Sequence, residues 1–125
     1  MSDEAVALAG RRVLVVEDEW LVANELTRSL QAAGFVVVGP AASLQAAATL
    51  IEGEDGVDAA LLDINLQGRM VYPIADVLQT KGVRFAFVSG YTAAAVPSRY
   101  RDCTFHEKPF DPVRIVRSLL SDDSA

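Results

Sequence analysis

Apolar residues fall along this chain in two alternating rhythms. Val13–Val16, Val36–Val38, Ala59–Leu62 and Phe85–Val88 are continuous aliphatic or aromatic runs, the pattern of strands covered on both faces. A fifth run, Thr104–His106, is weaker and is placed by the Glu107–Lys108–Pro109 segment directly after it. Between the runs the spacing turns helical. In Glu19–Ala33, residues Val22, Leu26, Leu30 and Ala33 share one face, and Gly34 stops the helix. Ser43 can cap a helix over Ser43–Glu52 whose apolar face is Leu44, Ala47, Ala48 and Ile51, with Gly53 at its end. Val71–Lys81 presents Ile74, Ala75 and Leu78 before Gly82, and Asp111–Leu120 presents Val113, Val116 and Leu120, with Pro112 tolerated in the first turn. Ala93–Arg101 predicts a short helix: its alanines favour one, while Pro97 must start a turn or break it.

Strand and helix thus alternate five times. Such βαβ units predict a parallel sheet with right-handed crossovers and helices on both faces. The fold class expected is α/β, a doubly wound five-stranded parallel sheet in the order 2-1-3-4-5, the flavodoxin-like arrangement, with the second strand at an edge. One domain is expected over 11–120, with short tails at 1–10 and 121–125.

Composition narrows the function classes. The chain has 125 residues, 51% hydrophobic and 22% charged, which suits one globular core. No stretch approaches the roughly 20 apolar residues that span a bilayer, so no membrane partner is expected. Asp3 and Glu4 occupy the place of a basic leader region. The lone Cys103 cannot form an internal disulfide and reads as a small semi-buried filler, which fits a cytoplasmic location. The formal net charge is −6 and the basic residues are scattered, which argues against nucleic acid as a partner. Arg114 and Arg117 read as a solvated helix face.

In open α/β sheets, sites form at the carboxyl ends of strands near the point where strand order reverses. The first strand ends in Glu17–Asp18, the third in Asp63, the fourth in Ser89–Gly90 and the fifth in Glu107–Lys108–Pro109; the second ends in Gly39–Pro40, which carries no chemistry. The first and third strands are neighbours in this order, so Glu17, Asp18 and Asp63 should converge. Three carboxylates held together repel unless a cation neutralises them, and a hard divalent ion with oxygen ligands is the natural partner. Mg²⁺ is therefore expected, bound directly by Asp18 and Asp63, by the backbone carbonyl of Asn65, and by Glu17 through water. Lys108 adds a positive charge and Ser89 a hydroxyl donor. The set forms an electrostatic clamp for a transferring phosphoryl group, with Asp63 as the nucleophile.

The motifs Val13-Leu-Val-Val-Glu-Asp-Glu19, Leu61-Leu-Asp63, Val88-Ser89-Gly90 and Glu107-Lys108-Pro109-Phe110 resemble the signature of the receiver domain of two-component response regulators. Each is weak alone; four in the correct order, each ending the correct strand, are specific. The resemblance covers the chain from about Arg11 to Leu120. It implies phosphorylation of Asp63 by a histidine kinase or a phosphotransfer protein, slow self-catalysed loss of the phosphoryl group, and no other enzymatic activity. It further implies a cis bond before Pro109 and a switch in which Ser89 moves toward the phosphoryl group while Phe105 turns inward; a Phe105 that stays in the core is the alternative. The run Leu66-Gln67-Gly68-Arg69-Met70 departs from the common pattern after the acceptor. Phe87-Val88-Ser89-Gly90-Tyr91 is similar to a subgroup of receivers, frequent in alphaproteobacteria, that often lack an output domain. The expectation is a stand-alone regulator that binds an unidentified downstream protein when phosphorylated, or else a phosphoryl sink or relay intermediate. It would be a monomer or a weak phosphorylation-dependent dimer, and the partner face expected is the fourth helix, fifth strand and fifth helix.

Rival readings fare worse. A nucleotide- or flavin-binding module needs a phosphate-cradling loop after the first strand, where Glu17-Asp18-Glu19 stands. An aspartate-nucleophile phosphatase would need a second aspartate where Asn65 stands, and a degenerate receiver would lack a site residue. His106 reads as a rim residue, Trp20 as packing over the edge of the site, and Met70 and Tyr72 as shaping the loop after Asp63.

Overall fold

Every run that predicts a strand forms one. The computed structural model describes residues 8–53, 55–89, 97–100, 104–107 and 110–121. In order, these form β1 (Arg12–Val16), α1 (Trp20–Ala32), β2 (Val36–Ala41), α2 (Leu44–Ile51), β3 (Ala59–Leu62), β4 (Asn65–Leu66), β5 (Arg69–Met70), α3 (Tyr72–Thr80), β6 (Arg84–Ser89), a 3-10 turn (Ser98–Tyr100), β7 (Thr104–Glu107) and α4 (Pro112–Ser121). The main sheet is parallel in the order β2-β1-β3-β6-β7, which is the expected 2-1-3-4-5.

Successive strand residues face opposite sides, and each side has its own core. Leu14, Val16, Ala60, Leu62, Phe85 and Phe87 pack against Ala47 and Ile51 of α2 and Ile74, Ala75 and Leu78 of α3. Val13, Val15, Leu61, Ala86 and Val88 pack against Leu26 and Leu30 of α1 and Ile115 and Val116 of α4. At the foot of the sheet, Arg12 fixes the start of β1: its N–H donates to Asp58 Oδ2 at 2.7 Å and its Nε to the Gly56 carbonyl at 2.9 Å. The Ser43 hydroxyl accepts from the Ala46 N–H at 3.1 Å, the cap expected there.

Three places depart from expectation. Strand β2 does not stop at Gly39–Pro40; it continues to Ala41 through a register shift against β1, with a cis Gly39–Pro40 bond and Gly39 at φ 97. A two-stranded antiparallel hairpin, β4 and β5, comes after Asp63 where only a loop was expected. Of the helix expected over Ala93–Arg101, Ser98–Tyr100 forms a 3-10 turn opened by Pro97, whose carbonyl accepts from the Tyr100 N–H at 2.9 Å; 93–96 and 101 lie outside the described residues. Cys103 lies outside them too.

Among the described residues Tyr100 is the largest fully buried side chain, and it joins Tyr72, Phe85 and Phe87 in an aromatic cluster. Its hydroxyl donates to the Tyr72 carbonyl at 3.3 Å, tying the 3-10 turn to the start of α3. Arg99 reinforces the tie from outside, 3.2 Å from Asp76 and stacked over the Tyr100 ring.

Candidate phosphoacceptor and metal site

The carboxylates meet because β1 and β3 are adjacent and in register to their last residues. Val16 pairs with Leu62, and the Asp63 N–H donates to the Val16 carbonyl at 2.9 Å. Asp63 therefore emerges beside Glu17 and Asp18. One carboxylate oxygen from each of the three lies within 4.8 Å of the others. Glu17 is 2% exposed and Asp63 5%, while Asp18 is half-buried, so the cluster opens to solvent on the Asp18 side. Glu17 Oε2 accepts from the Glu19 N–H at 3.0 Å, which fixes its side chain across the turn into α1. A buried carboxylate needs such partners, because losing water without replacing its hydrogen bonds is costly.

An oxygen-only set with this much negative charge in so little space suits a hard divalent cation such as Mg²⁺ and suits no soft metal. Asn65, two residues beyond Asp63, opens β4 and pairs with Met70. Its Oδ1 accepts from the Gly68 N–H at 2.7 Å. The turn between them, Gln67–Gly68, has both residues at positive φ, 55 and 90, as a two-residue type I′ hairpin requires. Sequence reasoning missed this hairpin; a residue followed by glycine between Leu66 and Arg69 was the available signal.

Ser89 ends β6, the other neighbour of β3, and its backbone pairs with Glu107 on β7. Lys108, Pro109, Gly90 and Tyr91 lie outside the described residues. Phe105 pairs with Phe87 and is half-buried against the aromatic cluster. Trp20 does not pack over the site: it is 73% exposed, and Leu21 beside it 69%. Burial pushes the Tyr72 phenol above its ordinary value, with Arg99 pulling the other way, and holds the His106 imidazole below its ordinary 6.5.

Neither a protein-family model nor a curated protein sequence matches the chain; the likeness lies with solved structures. The solution structure of SdrG from Sphingomonas melonis Fr1 is 35% identical, with a TM-score of 0.75, matched over 89% of this chain and 96% of its own. The BeF3-activated conformation of SdrG, from Pseudomonas melonis Fr1, is 34% identical over 90% of this chain and 98% of that one, with a TM-score of 0.75. The receiver (REC) domain of the PhyR response regulator of Erythrobacter litoralis is 26% identical over 92% and 90%, with a TM-score of 0.74. With its parallel sheet order and its acidic cluster at the ends of β1 and β3, the chain belongs to the receiver domains of response regulators.

Proposed function

We propose that this receiver accepts a phosphoryl group on Asp63 from the phosphohistidine of a histidine kinase or phosphotransfer protein, with Mg²⁺ as its cofactor. One observation carries the reading: Glu17, Asp18 and Asp63 converge to within 4.8 Å at the switch point of the sheet. An Asp63 carboxylate oxygen attacks phosphorus in line with the donor nitrogen. The P–O bond forms as the P–N bond breaks, and the imidazole leaves with the bonding pair. Asp18, Asp63 and the Asn65 carbonyl would hold Mg²⁺, with Glu17 acting through water; the ion supplies charge neutralisation for the phosphoryl oxygens. Ser89, at the end of β6, and Lys108, assigned from the sequence alone, would donate to those oxygens. Glu17 keeps the acidic wall in place through its bond to the Glu19 N–H. The BeF3-activated form of SdrG supports the reading, since that group imitates a phosphoryl on a carboxylate.

In this reading the chain's only chemistry is its own phosphorylation and dephosphorylation. Phosphorylation would alter the face made by the 3-10 turn, β7 and α4, where a downstream protein binds. Incubation with acetyl phosphate and Mg²⁺ tests the chemistry: wild type gains an acid-labile phosphoryl group, and Asp63→Asn gains none. Labelling that persists in Asp63→Asn, or in EDTA, would refute it. Comparing proteins captured with and without beryllofluoride tests the output.

A further inference from the structure

We propose that Asn65 and Gly68 are positioning residues: the turn they close holds the Asn65 backbone carbonyl in place for the cation. This role rests on the Mg²⁺ reading above and adds the means by which a main-chain ligand is fixed.

A side-chain ligand is held by its rotamer, whereas a carbonyl is held only by the course of its backbone. Between Asp63 and α3 that course is anchored at both ends. Ile64, Leu66 and Val71 are buried in the core on the α2 and α3 side, and the Val71 N–H donates to the Ile64 carbonyl at 2.8 Å. The tip between them, Gln67 to Met70, is exposed and contributes nothing to either core. Beyond the Leu66–Arg69 backbone pair that flanks it, the tip is closed by the 2.7 Å bond from the Gly68 N–H to Asn65 Oδ1, together with the positive φ of Gln67 and Gly68. A Cβ on Gly68 would meet nothing within 4 Å, so glycine is needed there for its backbone conformation and not for space. Because Asn65 is both the acceptor in that bond and the residue whose carbonyl is assigned to the metal, loosening the turn loosens the ligand while the core stays filled.

The test is Mg²⁺ binding by the unphosphorylated full chain, measured by titration calorimetry, with thermal melts in EDTA to report folding. Asn65→Ala and Gly68→Val are expected to weaken Mg²⁺ binding about three- to tenfold, the scale of one lost hydrogen bond. Gly68→Asn, which tolerates positive φ, is expected to bind like wild type. With acetyl phosphate, the Mg²⁺ concentration for half-maximal labelling should rise in the first two variants and stay at the wild-type value in Gly68→Asn. A merely structural role would lower the melting temperature in EDTA and leave the Mg²⁺ half-saturation unmoved. Wild-type affinity in Asn65→Ala overturns the positioning role and leaves the proposed function standing. Should Asn65→Ala fail to fold, equal affinity in Gly68→Val and Gly68→Asn overturns it instead. A wild type that binds no Mg²⁺ would sink the proposed function itself.

Discussion

Gln67 carries a conformational cost that its neighbours avoid. A non-glycine residue in the left-handed region loses roughly 1–2 kcal/mol, and Gln67 sits there at φ 55. Gln67→Gly is therefore expected to stabilise the fold by about 1 kcal/mol, a rise of roughly 3–5 °C in Tm by differential scanning calorimetry. Trp20 teaches the opposite lesson. Its place next to the acidic pair suggested that it would cover the site, yet it is 73% exposed. The buried stripe of α1 runs through Ala23, Leu26 and Leu30, and at about 100° per residue Trp20 falls a quarter-turn from its centre. Trp20→Ala should change stability by no more than about 0.5 kcal/mol in urea unfolding. The acidic residues, by contrast, were legible because strand ends are visible in the sequence and the strand order makes β1 and β3 neighbours.

Elements with a helical period or a sustained apolar run were readable, and the shortest and most irregular ones were not. The four helices keep to their apolar spacing, and their ends fall within a residue or two of the glycines and caps that mark them. The β4–β5 hairpin has two residues per strand, too few to show any alternation. The extension of β2 was hidden because proline normally ends a strand, whereas here a bulge carries the pairing past it: the Glu17 N–H reaches the Ala41 carbonyl at 2.9 Å. Gly39 makes that passage possible. At φ 97, a Cβ there would sit 2.7 Å from the Ala41 nitrogen and 3.1 Å from the Val15 carbonyl oxygen. Gly39→Ala is expected to cost about 2–4 kcal/mol, read as a lower urea midpoint with an unchanged m-value. Since the bulge also sets the Glu17 backbone, the same variant should weaken Mg²⁺ binding.

For the molecule as a whole, protons act on stability, and the proposed cation would act on it too. Mg²⁺ at about 100 times its dissociation constant would add roughly 2.7 kcal/mol; the resulting rise in Tm should shrink in Asp18→Asn. His106 gives a pH dependence of definite sign. Burial favours the neutral ring, so the folded protein holds its proton less tightly than the unfolded chain. Stability from this source is level above the ordinary value of 6.5 and declines as the pH falls from there through the lower folded value. His106→Gln should remove that part of the decline, seen by comparing melts of the two proteins between about pH 8 and pH 5.

The bulge in β2 also governs how one molecule meets another. This strand forms one border of the sheet, with Val36 partly exposed, and such borders invite a second polypeptide to lie alongside and extend the ladder. Here an intruding strand would find regular backbone only over Val36–Val38 before the irregular step, and Pro40 offers it no N–H. The kink that carries the pairing to the Glu17 N–H therefore also makes this rim a poor template for a further strand.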